Sequence, residues 1–240
     1  MTHVKFSYRL IPIYGMVFLM TVLTAFIGSK AVETVSETSL FKSNKTFIID
    51  AGHGGEDGGA ISCTGILEST INLQIALRLN DLMHLLGFHT KMVRTEDVSI
   101  YTEGESISQK KISDLKERVR ICNEIDGAVL ISVHQNAFPD SRYSGAQVFY
   151  SAASGSEQFA KNLQATLIRT VNPGSKREAK RAQGIYLMEH TQCPGILLEC
   201  GFLSNTEEEA RLRSDSYQKK LCCVVATTAA RFTLDAQTND

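Results

Sequence analysis

Four positions carry the residue types that can do chemistry together. His53 sits in Asp50-Ala51-Gly52-His53-Gly54-Gly55, directly after the apolar run Thr46–Asp50. His134 begins His134-Gln135-Asn136-Ala137, directly after the apolar run Ala128–Val133. Glu199 lies inside the apolar run Gly195–Cys200, and Glu68 opens a long stretch of helical spacing. Two imidazoles and a carboxylate form the ligand set of a catalytic zinc, with three protein ligands and a fourth position for water. A second carboxylate beside such an ion stands where a general base acts on that water. Each residue has a plainer explanation. A histidine among glycines is more often a satisfied loop residue than a ligand. Glu68 suits a helix N-terminus through the helix dipole alone. Glu199 is the hardest to set aside, because a carboxylate inside a strand is rare unless paired. The strand-end placement decides in favour of chemistry, since open α/β sheets bind ligands beyond the carboxyl ends of their strands.

The elements that must position these residues are legible as alternating short β-type runs and helical ones. Strands are expected at Thr46–Asp50, Phe88–Arg94, Ala128–Val133, Ala146–Tyr150, Gly184–Glu189 and Gly195–Cys200. Helices are expected at Glu68–Leu86, ending at Gly87, and at Ser113–Asn123, Ser156–Thr170 and Ser216–Phe232, by apolar spacing of three and four. Thr206 with Glu209 suggests a capping box for one more short helix. The alternation implies one α/β domain with a mostly parallel twisted sheet of about six strands and helices on both faces.

The 240 residues hold 25 Lys+Arg and 26 Asp+Glu, for a net charge of −1. With 43% apolar residues this excludes a disordered chain, and the absence of a basic excess argues against a nucleic-acid binder. Lys5 and Arg9 precede an uncharged run over residues 10–29, and Glu33 and Glu37 follow it. Its core, Leu10–Gly28, is nineteen residues, which as a helix span about 28 Å, close to the bilayer core. Residues 1–30 therefore read as a signal peptide or membrane anchor that carries the body across the membrane. Residues 31–45 read as a linker, 46–232 as the catalytic domain and 233–240 as a tail.

At these residues the sequence resembles the zinc-dependent N-acetylmuramoyl-L-alanine amidases of the amidase-3 type. The matching stretches are Ile49–Gly55 with Asp57-Gly58-Gly59-Ala60, Glu68, Ile131–Ala137, and Leu198-Glu199-Cys200-Gly201-Phe202-Leu203-Ser204-Asn205. The resemblance implies one zinc ion held by His53, Glu68 and His134, with Glu199 as catalytic acid/base. The implied reaction is hydrolysis of the amide between N-acetylmuramic acid and L-alanine of peptidoglycan stem peptides. Ser113–Val119, Ser144–Tyr150 and Lys180–Met188 are further similar to the sporulation amidase that strips stem peptides from spore cortex. That narrower likeness implies a step toward muramic-δ-lactam, a downstream muramic acid deacetylase, an activator lipoprotein in some cases, and export to the spore cortex space of a Gram-positive spore former. The other readings are a general wall amidase or autolysin of vegetative cells, another zinc peptidase, and a wall-binding module with a structural metal.

Substrate contacts are expected from Asn136, Arg94, Lys180 and Arg181, the last two within the basic run Lys176-Arg177-x-x-Lys180-Arg181. His190 is the rival ligand, ranked below Glu68, while His84 and His89 read as structural. Six cysteines read as free thiols, with a Cys193–Cys200 bridge as the alternative pairing.

Overall fold

The computed structural model describes Thr21 and residues 44–237. Almost all of the expected anchor, most of the linker and the last three residues lie outside that range. The chain divides into units 1–40 and 41–240. Among the described residues no helix is long and apolar enough to cross a membrane. The second unit runs β1 (Thr46–Ala51), α1 (Glu68–Leu85), β2 (His89–Met92), α2 (Ile107–Glu124), β3 (Ala128–Asn136), β4 (Gln147–Tyr150), α3 (Ser156–Thr170), β5 (Lys180–Arg181), α4 (Tyr186–His190), β6 (Gly195–Phe202), α5 (Thr206–Leu212) and α6 (Asp215–Gln237). This is one α/β domain around a six-stranded sheet of order β2-β1-β3-β6-β4-β5. Every neighbouring pair is parallel except β4 with β6.

Strand side chains alternate between the two faces of a sheet, and here the two faces do different work. Phe47, Ile49, Val129, Ile131, Ile196 and Leu198 point to one side and join the buried residues of α1, α3 and α6 in the larger core. Ile48, Leu130 and Leu197 point to the other side and meet Cys122 of α2 with Leu187 and Met188 of α4 in a smaller one. Burying each large apolar side chain contributes about 1.5–3 kcal/mol, so the larger cluster supplies most of the stability. The smaller face is left for polar function.

Three local expectations are corrected. Gly184–Glu189 is not a strand: Tyr186–His190 is a helical turn, and the sixth strand is the two-residue edge β5. A short apolar run fits either structure, and here Gly184 N–H donates to the Glu189 carboxylate at 2.6 Å, closing the turn. α2 begins at Ile107, not Ser113, because Ser106 and Gln109 form a capping box in front of an exposed polar first turn. α5 is capped by Asn205, whose side chain accepts from Glu207 and Glu208 N–H. Glu209, assigned to a capping box with Thr206, instead accepts from Ser62 at 3.2 Å and Thr64 at 2.5 Å. The Cys193–Cys200 pairing is also excluded. Cys200 lies fully buried in the larger core, while Cys193 packs with Cys122 on the opposite face, and all six cysteines are free.

One buried ion pair joins fold and site. Asp50 at the end of β1 accepts from Arg118 of α2, and Ser132 of β3 donates to it at 2.6 Å. Both charged side chains are almost wholly buried. Burial opposes ionisation of Asp50, but the Arg118 charge and the Ser132 hydroxyl outweigh it and hold its pKa below the usual range. Arg118→Met leaves that carboxylate with only the Ser132 hydroxyl and no compensating charge, and loss of one member of a buried pair costs about 3–5 kcal/mol. Urea unfolding is expected to show a destabilisation of that size, whereas Arg120→Met, on the exposed side of the same helix, stays within about 0.5 kcal/mol.

Candidate metal centre and catalytic carboxylate

Asp50 and Ser132 are register partners, as are His134 and Glu199. All four side chains therefore leave the sheet on the face of α2 and α4. Gly52 follows β1 and is tied to β3 by its N–H to Val133 O at 3.0 Å. A Cβ there would lie 2.1 Å from His134 Nε2, so the glycine is what lets the imidazole lie across the end of β1. His53 follows with φ of 61°, the only non-glycine residue with positive φ among those described. That conformation costs on the order of 1–3 kcal/mol and persists only when its surroundings enforce it. Two arginines do so. Arg118 donates to Ala51 O and to His53 O at 2.8 Å. Arg94 donates to Ala51 O, Gly52 O and Ser69 O at 2.8–3.0 Å.

Glu68, first residue of α1, is 4% exposed. Its Oε2 accepts from Ala60 N–H at 3.0 Å, and its Oε1 from Asn72 Nδ2 and Gln135 N–H at 3.1 Å. His134 Nδ1 lies 3.0 Å from Oε1, and His53 Nε2 lies 3.3 Å from Oε2. One ligand atom each from His53, Glu68 and His134 falls within 4.8 Å of the other two. His53 Nδ1 is already held by Asp57 Oδ2 at 2.9 Å, which leaves Nε2 for a metal and sets the tautomer in the manner of carboxylate–histidine pairs behind metal ligands. Gly59 completes the cradle: a Cβ there would meet Glu68 Oε2 at 2.6 Å and the His53 ring at 2.7 Å.

Burial alone would lower the His53 pKa, but the Asp57 hydrogen bond and then Glu68 raise it to about 9. Burial pushes Glu68 the other way, yet the hydrogen bonds of His134 and His53 hold it well below the carboxylate range. Glu199 responds differently. Burial raises it to about 7, outweighing the lowering effect of His134, with a smaller push from Glu68 and a smaller pull from His53. Its Oε2 is shielded from solvent and has no hydrogen-bond partner among the described residues. A buried oxygen without a partner, facing two imidazoles and a fixed carboxylate, fits a site built around a cation and its water. The His₂-carboxylate donor set fits one metal ion of the zinc type.

The other expected residues are placed as follows. Asn136 ends β3 and is half-buried at the catalytic edge, its carbonyl accepting from Leu203 N–H. Arg94 is turned inward with its guanidinium spent on backbone carbonyls, so it braces the His53 loop and does not reach for substrate. Lys180 and Arg181 lie on β5, exposed, at the level of Phe149 and Tyr150, which pair in turn with Leu197 and Ile196 of β6. That is two to three residues, roughly 7–10 Å, below Glu199 along the strands. His190 is exposed, its Nδ1 2.9 Å from Tyr186 O and its ring stacked on Tyr186, outside the cluster. Asp57, Arg118 and Lys111 also join the site, and neither residue type nor spacing announces a role for Arg118 or Lys111. Only Asp57 carried a signal, standing four residues after His53 in the glycine-rich stretch.

The pattern of the amidase-3 family, N-acetylmuramoyl-L-alanine amidase, matches residues 47–229. The chain belongs to that family. The germination-specific N-acetylmuramoyl-L-alanine amidase of Bacillus subtilis is 38% identical over 196 residues, 81% of this chain and 82% of that protein. The amidase LytC of the same organism is 28% identical over 73% of this chain but only 33% of its own length. Among solved structures, the CwlD amidase of Clostridioides difficile, in complex with the GerS lipoprotein, superposes with a TM-score of 0.76 at 36% identity, covering 80% of this chain and 99% of that one. As an N-acetylmuramoyl-L-alanine amidase, the protein acts on peptidoglycan, and its His53-Glu68-His134 cluster is the candidate metal site of this amidase fold.

A carboxylate whose pKa is raised on folding destabilises the protein once pH exceeds its unfolded value. For Glu199 the folded value is about 7, so the penalty appears as pH rises from about 4.5 to 7 and is on the order of 3 kcal/mol above that. In chelator-treated protein, Glu199→Gln is expected to gain stability over wild type by that order between pH 4 and pH 8, as read by urea unfolding at the two pH values. An equal difference at both pH values would refute the assignment of a strained buried carboxylate.

Proposed function

We propose that the protein is a zinc-dependent spore-cortex amidase, removing stem peptides from muramic acid on the way to muramic-δ-lactam. The observation that carries the cortex assignment is the 38% identity to a germination-specific amidase across 82% of that protein's length. Likeness to an amidase solved with a lipoprotein supports an activator lipoprotein as partner, and the product chemistry calls for a downstream muramic acid deacetylase. The uncharged run at residues 10–29 between basic and acidic flanks supports export across the membrane, with the body anchored or released on the peptidoglycan side.

His53, Glu68 and His134 would hold the zinc ion, which supplies a Lewis acid and a water activated near neutral pH. Glu199 Oε2, buried and unpartnered, accepts the proton of the attacking water. A pKa of about 7 suits that task, because the group exists in both protonation states at working pH. Glu199 then returns the proton to the alanine nitrogen, which leaves as an amine. Asp57 keeps the His53 ring in place, and Arg94 and Arg118 keep its backbone in place.

Glu199→Gln is expected to retain metal, by chelator competition, and to lose peptide release from cortex-type peptidoglycan by orders of magnitude. His53→Ala or His134→Ala is expected to lose the metal itself. Mass spectrometry of the digested cortex reads the bond that was cut. Cleavage of free muramic-free peptides in place of muramoyl amides would favour a general zinc peptidase.

A further inference from the structure

We infer that Lys111 is the substrate-recognition cation of this site, binding the free carboxylate of the stem-peptide residue that follows L-alanine. The inference rests on the amidase reading above and adds the part of the substrate that the site selects. A narrow pocket enclosing about 100 Å³ opens beside His53 and His134, between α2 and α4. Leu115, Ile185, Leu187 and Leu197 give it apolar walls, and Lys111 stands in its lining. The charged groups lining it are three carboxylates, Asp50, Asp57 and Asp114, and two cations, Lys111 and Arg118. An acidic ligand would be repelled there unless a cation received it.

Arg118 does not receive it. Its side chain is 3% exposed and its nitrogens are engaged with Asp50, Asp114, Ala51 O and His53 O. Lys111 is half exposed, and Asp57 Oδ2 lies 3.1 Å from its Nζ. An ammonium has three N–H donors, and Asp57 takes one, so two remain for an incoming group. The same Asp57 Oδ2 also lies 2.9 Å from His53 Nδ1, so one carboxylate ties the cation to the His53 ring of the candidate metal cluster. A small aliphatic residue against the apolar wall followed by a carboxylate at the ammonium matches this arrangement. A neutral N-acetylated sugar offers the ammonium no charge to pair with. Lys180 and Arg181, the cations singled out in the sequence, lie on the far edge strand below the level of Glu199.

The test compares holoenzyme and Lys111→Met on two soluble muropeptides, one with a free α-carboxylate after the alanine and one with that group amidated. Wild type is expected to favour the free acid about tenfold in kcat/KM, the scale of one charge-assisted hydrogen bond. Lys111→Met is expected to lose that preference through a KM about tenfold higher, with kcat within about twofold and metal affinity unchanged. Lys111→Arg should restore the preference. A wild type indifferent to amidation, or a preference that survives in Lys111→Met, overturns the inference while the amidase reading stands. Equal loss on both substrates with a weakened metal affinity also overturns it, since Lys111 would then act only by steadying Asp57 and His53. A wild type that releases peptide from neither substrate overturns the amidase reading and this inference together.

Discussion

The Glu68 carboxylate is the charge around which this domain is arranged. It is buried at the first turn of α1, where a carboxylate gains from the helix dipole, but the dipole alone does not offset its desolvation. Ala60, Gln135 and Asn72 donate to it, and two imidazoles face it. Those partners come from the glycine-rich loop, from β3 and from α1 itself. To satisfy one anion, three separate segments of the chain must meet, and their meeting is the candidate metal site. Asn72 extends the arrangement by donating also to Gly52 O, while Gln135 donates to Asn72.

Glu199 occupies the opposite condition in the same few ångströms. Glu68 is fully partnered and held ionised, whereas Glu199 has an oxygen with no hydrogen-bond partner among the described residues and a pKa pushed up to about 7. Two carboxylates pulled apart in this way suit a division of labour, with Glu68 as fixed negative charge and Glu199, as proposed, carrying the proton. The second is a local cost in stability that the larger apolar core on the other face absorbs.

Much of this was readable from the chain. Alternating runs with β and helical periods place β1, α1, β3, α3, β6 and α6 within a few residues, because each buries a face whose period matches its geometry. The placement of His53, His134 and Glu199 at strand ends is a consequence of the same reading. The errors have physical causes. Ile185, Leu187 and Met188 form an apolar run too short for its period to distinguish helix from strand. The first turn of α2 is polar and exposed, so only its capping box marks it. Residue type alone does not say whether Arg94, Lys180 or Arg181 faces solvent, backbone or a sheet edge, because that depends on tertiary register. Lys111 was invisible for the same reason: one lysine in a solvated run of Gln109, Lys110 and Lys111 acquires meaning only when Asp57 is found beside it.

The reversal of β4 has a consequence for how such a protein diversifies. In an all-parallel sheet, each strand that ends at the catalytic edge is fed by a long crossover through the body of the fold. β4 runs antiparallel to β6 and pairs its first residue, Gln147, with Glu199. The chain that leaves β3 at the catalytic edge therefore re-enters the sheet at that same edge, through residues 137–146, without crossing the core. Its exposed part, residues 137–144, forms a rim, while Gly145 and Ala146 are buried and tie its end to Glu208 and the larger core. A change of length within 137–144 therefore reshapes the border of the site without rerouting a crossover through either hydrophobic layer.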